Sequence, residues 1–155
     1  MLTLYKPRRG ELAFRAALLA DEATMAYNRA YGGTIAFPPE RWDDWAARWL
    51  DAPETARFYR YLRDAETGED IGEAAYHLDP ERGVYLCDVI IRADRRGCGY
   101  GAAGLRSLCA AAKENGVPAL WDNIAADNPA VAMFLKQGFR VAERDDEVVW
   151  VMKEL

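Results

Sequence analysis

The sequence predicts a mixed α/β fold: a mostly antiparallel sheet of about six or seven strands flanked by about four helices. Three observations carry this. Between Thr55 and Arg92, three strand-like runs are separated by two short turns, Glu66-Thr67-Gly68-Glu69 and Asp79-Pro80-Glu81-Arg82-Gly83, the pattern of an antiparallel meander. A glycine-rich stretch then leads into a helical run and another strand, the order of a right-handed parallel crossover. Two last strand-like runs turn at Asp145-Asp146. The 155 residues fit one domain, 1–155, and 51% hydrophobic residues suffice for a sizeable core.

The elements follow in order. Leu2–Lys6 reads as a short strand, broken between Pro7 and Gly10. Glu11 to about Asn28 has helical composition, with Leu12, Leu18, Leu19 and Met25 among alanines. Arg29–Pro39, with glycines and prolines, reads as a loop. Pro39-Glu40 opens a second helix, to about Leu50. Trp42, Trp45 and Trp49 make one stripe on it, read as core-facing ahead of a pocket wall or a dimer contact. The strands are Thr55–Asp64, Ile71–Leu78 and Val84–Arg92. The last, VYLCDVIIR, is nearly continuous in apolar residues and predicts a central strand covered on both faces. Gly101–Asn115 is a helix, Ala119–Ala125 a strand, and Pro129–Gln137 a short helix stopped by Gly138. Phe139–Arg144 and Glu147–Lys153 close the chain as a hairpin.

Composition narrows the function. A net charge of −5 argues against nucleic-acid binding, which wants a basic surface. Cys87, Cys98 and Cys109 form no CxxC pattern, so no metal site or disulfide framework is expected. His77 is the only histidine, which removes most Ser-His and Cys-His schemes. The first residues lack the apolar core of a signal peptide, and no run is long enough to span a membrane. A cytoplasmic location is expected.

The informative stretch is RRGCGYGAAG, Arg95 to Gly104. Glycines between a strand and a helix expose backbone N–H groups at a helix N-terminus, an anion site, and arginines beside them fit an anion. Three readings arise. One is a turn with no ligand. A second is a dinucleotide fold, because Gly99-Tyr100-Gly101-Ala102-Ala103-Gly104 matches GxGxxG and Asp122 lies near the end of the next strand. Against it stand the residues between strand and glycines, the antiparallel meander, and the short chain after Asp122. The third rests on Arg96-Gly97-Cys98-Gly99-Tyr100-Gly101, which matches R-x-x-G-x-G, with Asp127-Asn128-Pro129-Ala130 and Gly138-Phe139 further on. These motifs and the element order resemble the GNAT acetyltransferases over essentially the full chain.

The resemblance implies acetyl-CoA as cosubstrate, CoA as product, and acetyl transfer to a primary amine of a small molecule or peptide. It also implies a splayed parallel strand pair in the middle of the sheet. The diphosphate would meet backbone N–H groups from Gly97, Cys98, Gly99, Tyr100, Gly101 and Ala102. Arg96 would assist, and Arg95 would reach toward the 3′-phosphate. Ile90–Arg92 would line the slot for the pantetheine arm, with the Ile91 N–H meeting the thioester oxygen. Asn128 would bond the arm, with Asp127 an alternative in its place. Asp88 is the one carboxylate inside VYLCDVIIR, and burial would raise its pKa toward that of a general base. The competing reading is an ion pair, for instance with Arg60. Glu73 is a lesser candidate, and a water chain another. Many relatives carry a tyrosine acid four residues before the Gly-Phe pair; here Phe134 stands there, which leaves a noncatalytic CoA-binding module as the alternative function. Tyr27, Tyr31, Phe37 and Trp42 are candidates for the acceptor pocket or for core, and a homodimer is compatible with the resemblance.

Overall fold

The computed structural model describes residues 1–155. Its seven strands are β1 (Leu2–Tyr5), β2 (Arg57–Asp64), β3 (Asp70–Asp79), β4 (Val84–Ile91), β5 (Ala119–Ala125), β6 (Arg140–Arg144) and β7 (Val148–Glu154). They form one sheet in the order β1-β2-β3-β4-β5-β7-β6. Every neighbouring pair is antiparallel except β4–β5. The mixed, mostly antiparallel sheet with one parallel pair is as the sequence predicts, and it excludes the doubly wound dinucleotide fold.

Four helices cover the sheet: α1 (Ala13–Ala20), α2 (Trp42–Trp49), α3 (Tyr100–Glu114) and α4 (Ala130–Lys136). Strand side chains alternate between two cores. Cys87 and Ile91 of β4 join Leu105 and Leu108 of α3 and Phe134 of α4. Ile90 joins Leu18 and Leu19 of α1 and Trp45 of α2 on the opposite face. The tryptophan stripe is core packing: Trp45 is buried edge-on against Tyr59 at 4.7 Å, and Trp42 and Trp49 pack beside it.

Mid-helix glycine usually costs about 1 kcal/mol relative to alanine. Gly104 has a packing reason, because a Cβ there would lie 2.8 Å from Leu62 Cδ1. Its absence lets α3 sit close on the sheet.

The expected helix from Glu11 to Asn28 is divided. α1 ends at Ala20, Asp21 is extended (φ −80°, ψ 113°), and Thr24–Tyr31 is a 3-10 segment. The Asp21 carboxylate accepts bonds from the Thr24 amide, at 3.2 Å, and the Thr24 hydroxyl. A short polar side chain that binds its own backbone competes with helix, which composition alone does not reveal. The expected loop accordingly begins after Tyr31, and the second helix opens with a 3-10 turn, Pro39–Arg41.

Candidate active site

β4 and β5 are paired only at Tyr85–Leu120 and Leu86–Trp121. Beyond these positions both strands continue without a shared ladder. β5 keeps its hydrogen bonds on the other edge, where Ala119–Ala125 pairs throughout with Val148–Glu154 of β7. β5 can therefore leave β4 without leaving the chain unsupported. The parting opens a cleft of about 1170 Å³, lined on one side by α3 and α4 and on the other by Tyr27 and Tyr31.

The edge of β4 facing the gap carries main-chain donors. The Arg92 N–H donates to the Ile71 carbonyl on β3 at 2.9 Å. Successive residues of an antiparallel ladder point to opposite edges. The Ile91 and Val89 N–H groups therefore point toward β5, where no ladder meets them.

At the end of β4 the chain bends into α3. Gly97 (φ 77°) and Gly99 (φ 83°) occupy the left-handed region, which other residues adopt at a cost of about 1–2 kcal/mol. The N–H groups of Gly97, Cys98, Gly99, Tyr100, Gly101 and Ala102 have no acceptor in the protein; the first helical bond comes from Ala103 to the Gly99 carbonyl at 3.1 Å. Gly97, Cys98 and Gly99 are exposed. Six free donors at a fifteen-residue helix's positive end suit an anion. The slot along the unpaired edge of β4 suits an extended amide chain. Both fit coenzyme A.

The side chains around the bend are placed less simply than sequence reasoning assumed. Arg96 donates from Nε to the Ile91 carbonyl at 3.1 Å and from a terminal nitrogen to the Thr24 carbonyl at 2.7 Å. It braces the bend and leaves one terminal nitrogen free. Arg95 and Arg92 both bind Glu69, and Arg92 also binds Asp94 at 2.8 Å. The Tyr100 hydroxyl turns away to Asp64 at 3.1 Å. Cys98 is exposed in the bend, and its thiol contacts the Arg96 carbonyl at 3.7 Å. Asn128 Oδ1 accepts from the Ala130 N–H at 2.9 Å and opens α4, while its amide nitrogen is unpaired. Phe134 is buried, edge-on to Phe139 at 4.9 Å, and lines the cleft.

Two carboxylates flank the parting. Asp88, on β4, faces the cleft and has no hydrogen-bond or ion-pair partner. Its surface is exposed to the cleft, while the protein packed behind β4 keeps water from the rest of the carboxyl's surroundings. Desolvation and the nearby Glu73 charge push its carboxyl up to about 7, against the lowering effect of Arg15. The suggested Arg60 partner is bound to Glu54 instead. Glu73 is buried and held by Arg15, at 2.8 and 2.9 Å, and by the Tyr59 hydroxyl. Asp122, on β5, also lines the cleft; burial, then the charge of Asp88, push its carboxyl well above the usual range. Sequence reasoning had tied Asp122 only to the dinucleotide fold. Its signal was the one that marked Asp88, a carboxylate inside an apolar strand, ALWDNIA.

Tyr27 and Tyr31 line the cleft, whereas Phe37 is core and Trp42 packs against that core without reaching it. Burial, then Asp88, Glu73 and Asp122, raise the Tyr27 hydroxyl pKa, so it stays protonated.

The sequence matches no curated protein. Solved structures match along nearly the whole chain. A GNAT-family acetyltransferase from Streptococcus pneumoniae superposes with a TM-score of 0.81 at 15% identity, covering 100% of both chains. The spermidine N-acetyltransferase of Vibrio cholerae, solved with CoA and spermine, gives 0.79 at 18% identity over 99% of this chain and 95% of that one. A ribosomal-protein-alanine N-acetyltransferase from Brucella melitensis gives 0.76 at 20% identity, covering 100% and 99%. The family model "Acetyltransferase (GNAT) family" matches residues 19–139, which include both the anion bend and the parted strands. With most of its length matched by that model, the chain belongs to the GNAT acetyltransferase family.

Proposed function

We propose that the chain transfers the acetyl group of acetyl-CoA directly to a primary amine in the cleft between β4 and β5. The observation that carries this is the parting of the two strands beside a bend with six unpartnered amides. The solved relative from Vibrio cholerae that holds CoA and spermine supports the cofactor and the acceptor class.

Acetyl-CoA supplies an activated acetyl thioester. The chain supplies the rest. The bend's amides and the N-terminus of α3 hold the diphosphate. The Ile91 N–H donates to the acetyl oxygen as charge builds there. Asp88, poised near neutrality, takes the proton that the substrate ammonium must lose before its nitrogen can attack. The new bond is N–C and the broken bond is C–S; a second proton leaves the nitrogen for the departing thiolate through water, and the third stays on the amide. Water has this task because Phe134 carries no donor. Free thiols have pKa values of about 8.5, so a thiolate leaves without obligatory protonation.

Incubation with acetyl-CoA and a panel of primary amines, followed by thiol release, tests the proposal. Acceptor-dependent release is expected. Phe134 favours one second reading, a CoA-binding module without turnover. Tight CoA binding with no release across the panel would establish that reading instead.

A further inference from the structure

The charges around the cleft are one-sided. Arg95 and Arg96 are its only basic residues, and both belong to the cofactor bend, held by Glu69 and by two carbonyls. His77 also reaches the cleft, but desolvation and Arg57 lower its pKa, which keeps the ring neutral. Away from the bend the ionisable groups are acids. Asp88 lies at the parting, and Asp146 and Glu147 stand exposed at the tip of the β6–β7 hairpin. None of the three belongs to an ion pair. Tyr27 and Tyr31 line the same cleft and are 48% and 81% exposed as residues, even though desolvation reaches the Tyr27 hydroxyl.

Building on the acetyltransferase reading, we infer that the acceptor is a primary amine with no anionic group and with a second cationic group, which Asp146, Glu147 and the two tyrosine rings select. An amino-acid acceptor would bring a carboxylate that needs a basic partner, and the acceptor side offers none. Unpaired acids beside it would repel that carboxylate. A second ammonium or guanidinium group meets the opposite situation: opposite charge at the hairpin and aromatic faces for cation–π contact.

Matched pairs of amines test this on the full chain loaded with CoA. Cadaverine against lysine, and tyramine against tyrosine, differ only in the carboxylate. Calorimetric Kd values on the CoA-loaded protein, and kcat/KM by thiol release with acetyl-CoA, are expected to favour the member without carboxylate by at least tenfold. Cadaverine is expected to exceed pentylamine, and the Asp146→Asn, Glu147→Gln double variant to shrink that advantage at least threefold without changing CoA affinity. Equal or better performance by lysine and tyrosine overturns the inference, as does an unchanged cadaverine advantage in the double variant. No amine binding to a protein that binds CoA also overturns it. Failure to bind CoA at all overturns the acetyltransferase reading instead.

Discussion

Replacing Gly101 by alanine separates the cofactor bend from the fold. Gly101 is the second residue of α3, and its φ lies outside the left-handed region. An added Cβ would stand 3.7 Å from Met133 Cε and 3.9 Å from Ile91 Cγ1, ordinary contacts with two side chains of the cleft wall. The fold therefore accepts the methyl group. Alanine in place of glycine in a helix gains about 0.5–1 kcal/mol, which in a chain of this size raises Tm by about 1–4 °C. The same methyl narrows the cleft beside the free amides, since Gly101 itself lines it. Loss of one hydrogen bond to a charged group costs about 1.5–3 kcal/mol, a weakening of CoA binding by roughly 10- to 150-fold. Gly104→Ala is the control. Its Cβ meets Leu62 Cδ1 at 2.8 Å, inside the core. Overpacking of this kind costs about 1–3 kcal/mol, partly offset by the same helix gain of about 0.5–1 kcal/mol, so Tm does not rise as in Gly101→Ala and falls by up to several degrees, while CoA affinity holds. Calorimetric melting and CoA titration on the same samples read both effects. Unchanged CoA affinity in Gly101→Ala would refute the placement of the anion, and a lost affinity in Gly104→Ala alone would move the site along the helix.

Three further substitutions test the chemistry. With Asp88 as base, kcat/KM rises with pH through about 7 as the carboxyl loses its proton. Asp88→Asn should lose that limb and about a hundredfold in rate, whereas a wild-type pH profile would reduce Asp88 to a structural role. Stability runs the other way: a carboxyl raised to about 7 holds its proton more tightly when folded. Stability is then lost as pH rises from the unfolded value, about 4, toward 7, and the asparagine variant should not show that loss in melting across the window. Glu73→Gln removes the like charge next to Asp88 and leaves Arg15 without its anion. The rate limb should shift to lower pH, and stability should fall by about 3–5 kcal/mol for a broken buried pair; a limb that stays in place would contradict the coupling. Phe134→Tyr returns a hydroxyl to the cleft wall and should raise kcat several-fold with CoA affinity unchanged, whereas an unaltered kcat would show that water already protonates the thiolate adequately.

Local pattern revealed the strands, the turns and the glycine bend because each is written in adjacent residues. VYLCDVIIR is central because its run is apolar on both faces, and Ala119–Ala125 coincides with β5. The parting of β4 from β5 came from family resemblance, since nothing in either strand's sequence says where a ladder stops. Contacts between distant residues were not legible. Arg96 stands out in the sequence only by its glycine neighbours; that it also bonds the carbonyls of Ile91 and of Thr24, 72 residues away, could not be read there. Nothing in the sequence around Glu73 shows that Arg15, 58 residues away, and Tyr59 bond it. Asp88 and Asp122 sit just past the two positions at which β4 and β5 pair, far apart in sequence, so their electrostatic coupling needed coordinates.

The direct measurement is an acetyl-CoA titration of isotope-labelled protein, following the backbone amide resonances of residues 97–102. Large, saturable shifts in those amides, and smaller ones at Val89 and Ile91, are the expected result. Saturable binding that moves other amides and leaves those six still would contradict the assignment of the bend as the cofactor's anchor.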